Sequence, residues 1–121
     1  MKLAVLRETA PETRVAAIPE TVKKYIALGA TVCVERGAGE TAGVADSEFE
    51  AAGATIATRA AVLNDAGIIL CITGPAPDSL AGAATGALLV GALDPARRAD
   101  DIAAYAKAGL DQHDVRREAW R

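Results

Sequence analysis

Short apolar runs rich in β-branched residues alternate along this chain with stretches in which apolar residues recur at helical spacing. This alternation is typical of α/β domains, in which helices connect neighbouring strands. Pro19 can open a helix without losing a hydrogen bond, and Gly29, Gly53 and Gly109 stand where helices are expected to end. The pattern predicts strands at 2–6, 31–35, 54–57, 67–72 and 87–90, and helices at 19–28, 46–52, 58–65 and 96–108.

Strands separated by helices favour a parallel sheet, because each crossover returns the chain to the same edge with a right-handed turn. We therefore predict an α/β fold over residues 1–110: a Rossmann-like, doubly wound parallel sheet of about five strands flanked by helices. The pattern stops after Leu110. Residues 111–121 are rich in charge and hold His113 and Trp120, the single histidine and tryptophan. They fit neither a strand nor a core-facing helix, so we expect an atypical, disordered tail.

The composition indicates a core of small side chains and excludes several partners. Alanine supplies 29 of the 121 residues, whereas Phe, Trp and Tyr together supply four. So few rings argue against single-stranded nucleic acid, whose bases stack on aromatic side chains. The net charge of −3 argues against a phosphate backbone as partner. No apolar run approaches the roughly 18 residues of a membrane span, and the first residues lack a signal peptide, so we expect a cytoplasmic chain without its own membrane segment.

Both cysteines, Cys33 and Cys71, lie inside apolar runs. The sequence has no CxxC pair and no cluster of cysteine and histidine, so it supports neither a zinc site nor a disulfide framework. We expect two buried thiols in a reducing compartment.

One glycine-rich segment, Gly37-Ala-Gly39-Glu-Thr-Ala42, fits the dinucleotide fingerprint G-x-G-x-x-(G/A) and follows a predicted strand. The fingerprint needs a long helix after it and an acidic residue at the end of the next strand. Here Asp46 caps only a brief helix, and the next strand ends at Thr58. We therefore predict a structural turn that uses the freedom of glycine at positive φ.

Other candidate groups are isolated. Arg14 could bind a small carboxylate or an anionic cofactor through two parallel hydrogen bonds, or it could form only a surface ion pair in its loop. His113 could act as a general base, but it stands in the charged tail without a nucleophile nearby, which favours a solvated histidine. The carboxylates between Glu35 and Glu50 are more typical of a solvated rim than of an acid/base pair. The residues alone thus give no catalytic constellation.

The first three-fifths of the chain resemble the N-terminal domain shared by alanine dehydrogenases and the alpha subunit of proton-translocating NAD(P) transhydrogenase. The resemblance covers residues 1 to about 75 with good spacing and extends loosely to about 110. The residues that carry it are Glu12-Thr-Arg-Val-Ala16, Pro19, Val22, Gly29, Val34-Glu-Arg-Gly-Ala-Gly39, Asp46 and Ala52-Gly-Ala54. It implies that this domain packs against a second, NAD-binding half, which carries the family's nucleotide fingerprint.

Two positions separate the branches of that family. Alanine dehydrogenases carry a lysine where this chain has Thr73 and a histidine at about Leu93. Without the lysine amine and the histidine imidazole, this chain has no group at these positions to bind a keto acid or to transfer its proton. The resemblance therefore implies the transhydrogenase branch, with no catalytic residue in this chain. Arg14, which matches an arginine that binds the substrate carboxylate in alanine dehydrogenase, and Thr73 are the candidates for a substrate or cofactor cleft.

The resemblance implies hydride transfer from NADH to NADP⁺, coupled to proton translocation, in the complete enzyme. NAD(H) and NADP(H) would be its cofactors, and the NAD-binding half and the other subunits its partners. We expect a homo-oligomer in the full-length form, peripheral to the inner membrane through partner subunits, and no binding of cofactor or metal by this chain alone. Two alternatives stay open: a non-catalytic module that docks on a full-length subunit, and a remnant of an alanine dehydrogenase.

One departure from the family follows Leu110, where an apolar strand and then an Arg- and Ser-rich segment are expected. Residues 111–121 replace both. A shifted reading frame or an early stop would explain the loss of pattern at one point, and we expect a truncated N-terminal fragment. A genuine short paralogue is the alternative.

Overall fold

The computed structural model describes residues 1–93 and 97–114. Within them, six strands form one sheet in the order β3-β2-β1-β4-β5-β6, and every neighbouring pair is parallel. The strands are β1 (Lys2–Val5), β2 (Thr31–Glu35), β3 (Thr55–Ala57), β4 (Ile68–Thr73), β5 (Leu88–Ala92) and β6 (Asp111–Asp114). This is the doubly wound order of Rossmann-like folds, and it confirms the predicted fold class.

The helices are α1 (Pro19–Ala27), α2 (Asp46–Ala51), α3 (Arg59–Leu63) and α4 (Ala99–Lys107), with 3₁₀ turns at Glu40–Ala42 and Pro77–Leu80. Pro19 opens α1 as predicted, and Gly29 follows that helix with a φ of +97°, which is accessible to glycine without a steric penalty. Asp46 is the first residue of α2 rather than its cap. Ala45 is the cap, and its amide donates to the Glu48 carboxylate at 2.7 Å.

The sheet separates two apolar cores. On one face, α1 and α2 bury Val22 and Phe49 against the β1–β2–β3 half. On the other face, α3, α4 and the 77–80 turn bury Val62, Leu80 and Tyr105 against the sheet. Cys33 and Cys71 are free and buried, as predicted. No helix in the described part of the chain is long and apolar enough to cross a membrane.

The sixth strand corrects the prediction that a disordered tail begins at Asp111. Residues 111–114 pair with β5, with Asp111 opposite Leu88 and His113 opposite Val90. The sequence pattern missed this strand because it lies at the sheet edge, where polar and charged side chains are tolerated and serve to discourage pairing with other chains. The rest of the predicted tail, residues 115–121 with Trp120, lies outside the described residues, and the domain boundary at 110 stays a prediction.

Candidate functional site

A cavity of about 660 Å³ opens at the carboxyl ends of β1 and β4. The strand order reverses between these two strands, and open α/β sheets bind ligands at such a reversal because the connecting loops part there. Two loops form its walls: residues 7–12 after β1, called the first wall here, and the segment 74–80 after β4, called the second wall, of which residues 74–78 line the cavity. The remaining lining residues are Leu6, Arg59, Cys71, Thr73, Arg98 and Asp101.

Glu8 ties the base of the first wall to the end of β4. Its two carboxylate oxygens each accept one backbone N–H, from Ile72 and from Thr73, both at 2.9 Å. Burial raises the pKa of Glu8 above its ordinary value near 4.5, while these two hydrogen bonds act in the opposite direction. The carboxylate is therefore a fixed acceptor at the junction between β4 and the second wall.

Arg59, the first residue of α3, joins three segments above that junction. Its Nε and Nη2 contact Glu35 Oε1 at 3.0 and 2.9 Å, Nη2 donates to the Arg7 carbonyl at 2.8 Å, and Nη1 donates to Ser79 Oγ at 2.9 Å. Glu35 Oε1 also accepts the Arg7 amide at 2.8 Å. The prediction that Glu35 belongs to a solvated rim is therefore wrong, because its side chain is held at 15% exposure in this ion pair.

Arg98 and Tyr105 support the second wall from α4 and its N-terminal flank. Arg98 pairs with Asp101, its Nη2 lying 2.6 Å from Oδ2, and the Tyr105 hydroxyl donates to the Pro75 carbonyl. Burial raises the pKa of Tyr105 to about 12. Gly74 leaves room for both side chains, since a Cβ there would lie 2.8 Å from Arg98 Nη1 and 2.9 Å from the Tyr105 hydroxyl.

Cys71 contributes a thiol to the cavity lining, but its environment makes it a poor nucleophile. Its Sγ donates to the Val90 carbonyl at 3.3 Å, and burial raises its pKa to about 12. Since the thiolate is the reactive form, we expect Cys71 to stay protonated and to act as a packing residue. The described residues hold no group of three or more His, Cys, Asp or Glu arranged to bind a metal ion.

The structure separates the two predicted cleft residues. Thr73 lines the cavity, whereas Arg14 lies outside the lining and connects to it through Glu12. Arg14 Nε and Nη2 bind Glu12 Oε1 and Oε2 at 2.8 and 3.0 Å, and this pairing lowers the pKa of Glu12 to about 2. The Arg14 side chain is 72% exposed. The contact that is present is thus the surface ion pair, and a ligand role for Arg14 stays a prediction.

Two further sequence features lie away from the cavity lining. Gly37 has a φ of +79° and donates its amide to Asp46 Oδ1 at 3.0 Å, so the glycine-rich segment forms the predicted turn. His113 lies on β6 beside Val90.

Sequence reasoning missed Glu8, Arg59 and Arg98 as lining residues. A usable signal exists for each: Glu8 closely follows β1, Arg59 begins α3, and Arg98 directly precedes α4. In a parallel sheet, strand ends and the starts of the following helices meet at the same edge. What the sequence does not supply is the choice of partners, because Arg59 lies 24 residues from Glu35 and 20 from Ser79.

Comparison with known proteins relates the chain to one family. The family described as "Alanine dehydrogenase/PNT, N-terminal domain" matches residues 4–115. An NAD(P) transhydrogenase subunit alpha polypeptide of Rhodospirillum rubrum is 47% identical over 77 residues, which are 62% of this chain and 20% of that protein. Alanine dehydrogenase of Halomonas elongata is 38% identical over 91 residues, 74% of this chain and 24% of that protein.

A solved structure agrees with these sequence matches. The transhydrogenase of Sinorhizobium meliloti superposes with a TM-score of 0.89 and 36% identity, covering 94% of this chain and 34% of that one. The chain therefore spans between a fifth and about a third of the length of these three relatives. Since the family match extends over nearly all of the sequence, the chain belongs to the alanine dehydrogenase/PNT N-terminal domain family.

Proposed function

We propose that this chain is the N-terminal portion of the alpha subunit of a proton-translocating NAD(P) transhydrogenase. In the complete enzyme, hydride passes from NADH to NADP⁺ and the transfer is coupled to proton movement. The chain contributes a scaffold and, with the cavity at the ends of β1 and β4, one wall of the cleft for NAD(H). Its partners are the NAD-binding half and the other subunits, through which it is associated with the membrane.

The chemistry at positions 73 and 93 carries this proposal. The resemblance places a lysine and a histidine there in alanine dehydrogenases. Here Thr73 ends β4 at the cavity, and Leu93 is 1% exposed in the apolar core that also holds Tyr105. A hydroxyl and an aliphatic side chain cannot supply an amine and an imidazole to a keto acid. Transfer between two nicotinamides needs no such pair, which favours the transhydrogenase branch.

We further propose that this chain alone neither binds NAD(H) nor transfers hydride. Four arginines at or beside the cavity are already paired with carboxylates: Arg7 with Glu40 in an exposed pair at 3.9 Å, Arg14 with Glu12, Arg59 with Glu35 and Arg98 with Asp101. A pyrophosphate is normally held by unpaired cations or by backbone N–H groups at a helix N-terminus. Binding it here would cost one of these ion pairs.

Titration of the isolated chain with NADH, followed by nicotinamide fluorescence, tests this proposal. We expect no saturable signal, whereas an NADH-binding Rossmann protein run in parallel gives one. Saturable enhancement at micromolar concentrations would overturn the claim of no independent binding. Restoring the alanine-dehydrogenase pair, Thr73→Lys with Leu93→His, in a chain completed with an NAD-binding half separates the two branches. Alanine oxidation gained by that variant would support the remnant hypothesis instead.

A second candidate function, docking on a full-length subunit without catalysis, is favoured by one observation. Leu28, just after α1, is 85% exposed, and Ile18, just before it, is 46% exposed. Large apolar side chains at both ends of a surface helix are candidates for a contact with another protein. Sedimentation velocity over a range of concentrations tests this: self-association that Leu28→Ser abolishes supports an apolar contact here, and a single monomeric species at all concentrations counts against it.

A further inference from the structure

We propose that Arg59 is a positioning residue for the cavity: it fixes the separation of the first and second walls before any ligand arrives. The inference rests on the proposed function only in taking the cavity as the region of this chain that faces a ligand. It concerns how the site is built, and its test needs no nucleotide.

The contacts of the guanidinium group give the first argument. One side chain holds Glu35 at the end of β2, the Arg7 carbonyl at the start of the first wall, and Ser79 Oγ in the second wall. Ser79 Oγ in turn donates to the Ala76 carbonyl at 2.6 Å, so the hydrogen bonds from Arg59 continue into the backbone of the second wall. The two walls are thus joined through a single planar group.

The position of these contacts gives the second argument. Glu8 ties the first wall to the end of β4, where the second wall begins, at the amides of Ile72 and Thr73. Arg59 ties the neighbouring Arg7 carbonyl to Ser79, six residues beyond Thr73. Because the two ties start from adjacent residues and reach the β4 side at separated points, together they fix both the distance and the angle between the walls, whereas one tie alone would let the second wall pivot. Holding a site in its binding geometry in advance lowers the entropy lost when a ligand binds.

The chemistry of arginine gives the third argument. Nε, Nη1 and Nη2 donate in three fixed directions within one plane, and the Arg59–Glu35 pair is largely shielded, with side chains 25% and 15% exposed. Lysine carries a single ammonium on a flexible stem and cannot reproduce this fork. A role as a mere counter-charge to Glu35 would tolerate lysine, and a positioning role would not.

The test compares Arg59→Lys with the wild-type chain by two NMR measurements. The first is hydrogen exchange of the Arg7 amide, which donates to Glu35, and of the Ser79 amide, which donates to the Ala76 carbonyl at 2.9 Å. The second is the fluorine spectrum of a trifluoromethyl label on Asp78→Cys, an exposed residue of the second wall. Cys33 and Cys71 are buried and do not compete for the label.

We expect Arg59→Lys to speed exchange at both amides by about tenfold through local opening and to shift or split the fluorine line, while amides in β1 and β2 keep their protection. Arg36→Lys, at an exposed arginine just after β2, is the matched control and leaves both measurements unchanged. Ser79→Ala keeps the Glu35 pair and removes one tie, so we expect faster exchange at the Ser79 amide alone.

Three outcomes would overturn the proposal. Arg59→Lys could retain wild-type exchange and an unchanged fluorine line, which would make Arg59 a simple counter-charge. It could lose protection evenly across the sheet, which would indicate a global change in stability. Ser79→Ala could leave the Ser79 amide unaffected. Ser79→Ala leaves Arg59 and its pair with Glu35 in place and also removes the Ser79 Oγ bond to the Ala76 carbonyl. An unchanged Ser79 amide in this variant would therefore overturn the proposal even where an Arg59 variant misfolds, and none of these results depends on whether the chain binds NADH.

Discussion

Gly91 in β5 offers a sharp test of how closely β4 and β5 approach beneath the cavity. A Cβ at position 91 would lie 2.5 Å from Cys71 Sγ and 2.7 Å from the Cys71 carbonyl oxygen, both below the 3.0 Å that real Cβ atoms respect. The sulfur could rotate away only by giving up its contact with the Val90 carbonyl. The carbonyl oxygen could move only with β4 itself.

We therefore expect Gly91→Ala to lower the free energy of unfolding by about 2–3 kcal/mol, the usual effect of overpacking a core. That loss is large beside a typical total of about 5–15 kcal/mol. In a strand without this contact, alanine would instead be more stable than glycine by about 0.5–1 kcal/mol, so even the sign is informative. Urea denaturation followed by circular dichroism measures the change, and an unchanged m-value would show that the unfolded state is unaffected.

The double variant Cys71→Ala/Gly91→Ala separates the two clashes. Removing the sulfur relieves the shorter contact and leaves the carbonyl contact, so we expect the combined loss to be smaller than the sum of the two single losses. A Gly91→Ala chain as stable as the wild type would refute the reasoning, because β4 and β5 would then have moved apart enough to accept the methyl group without a loss of stability. If the loss of unfolding free energy in the double variant equalled the sum of the two single losses, the contact with Cys71 Sγ would contribute nothing to the effect of Gly91→Ala.

Three further predictions concern groups at or beside the cavity. NMR titration should give a Glu12 carboxyl pKa of about 2, and Arg14→Gln should return it toward 4.5; a wild-type midpoint near 4.5 would contradict the ion pair. Because the pKa of Glu8 is raised, the folded state binds this proton more tightly than the unfolded state, so the contribution of Glu8 to stability falls as the pH rises above about 4.5. Glu8→Gln should remove that slope from urea midpoints measured between acid and neutral pH, and an identical slope would count against this assignment. Tyr105→Phe leaves the Pro75 carbonyl without its donor and should cost about 1–2 kcal/mol in the same assay; a change within experimental error would show that the bond adds nothing.

The sequence is sufficient for the main elements because apolar periodicity determines what the sheet buries. The strand predicted at 31–35 matches β2, the helix predicted to open at Pro19 matches α1, and the short helix predicted with Asp46 as its cap matches α2 to within one residue. The pattern fails at β6, where Asp111 and His113 take strand geometry from pairing with β5 rather than from burial. Periodicity carries no information about an edge strand whose side chains do not enter the core.

The candidate site is less predictable for a different reason. Its place follows from topology, since the reversal of strand order between β1 and β4 locates the cleft. Its chemistry depends on long-range choices: Glu8 binds amides at Ile72 and Thr73, and Arg59 selects Glu35 and Ser79. No local pattern encodes such partners. Arg14 is the opposite case: the local motif around it is recognisable in the sequence, but in the structure its side chain contacts the nearby Glu12, two residues away.

The central place of β1 has a consequence for the chain during its synthesis. β1 precedes the other five strands of this sheet in the chain, and its two neighbours in the sheet, β2 and β4, begin only at Thr31 and Ile68. At ribosomal rates, the second neighbour appears about 3–13 s after β1. Until then, β1, β2 and β3 can pair and fold under α1 and α2, while the edge of β1 that later pairs with β4 keeps its backbone N–H and C=O groups unpaired. Such an edge is a template for pairing with other chains, so we expect the nascent half-sheet to be exposed to aggregation until β4 has been made.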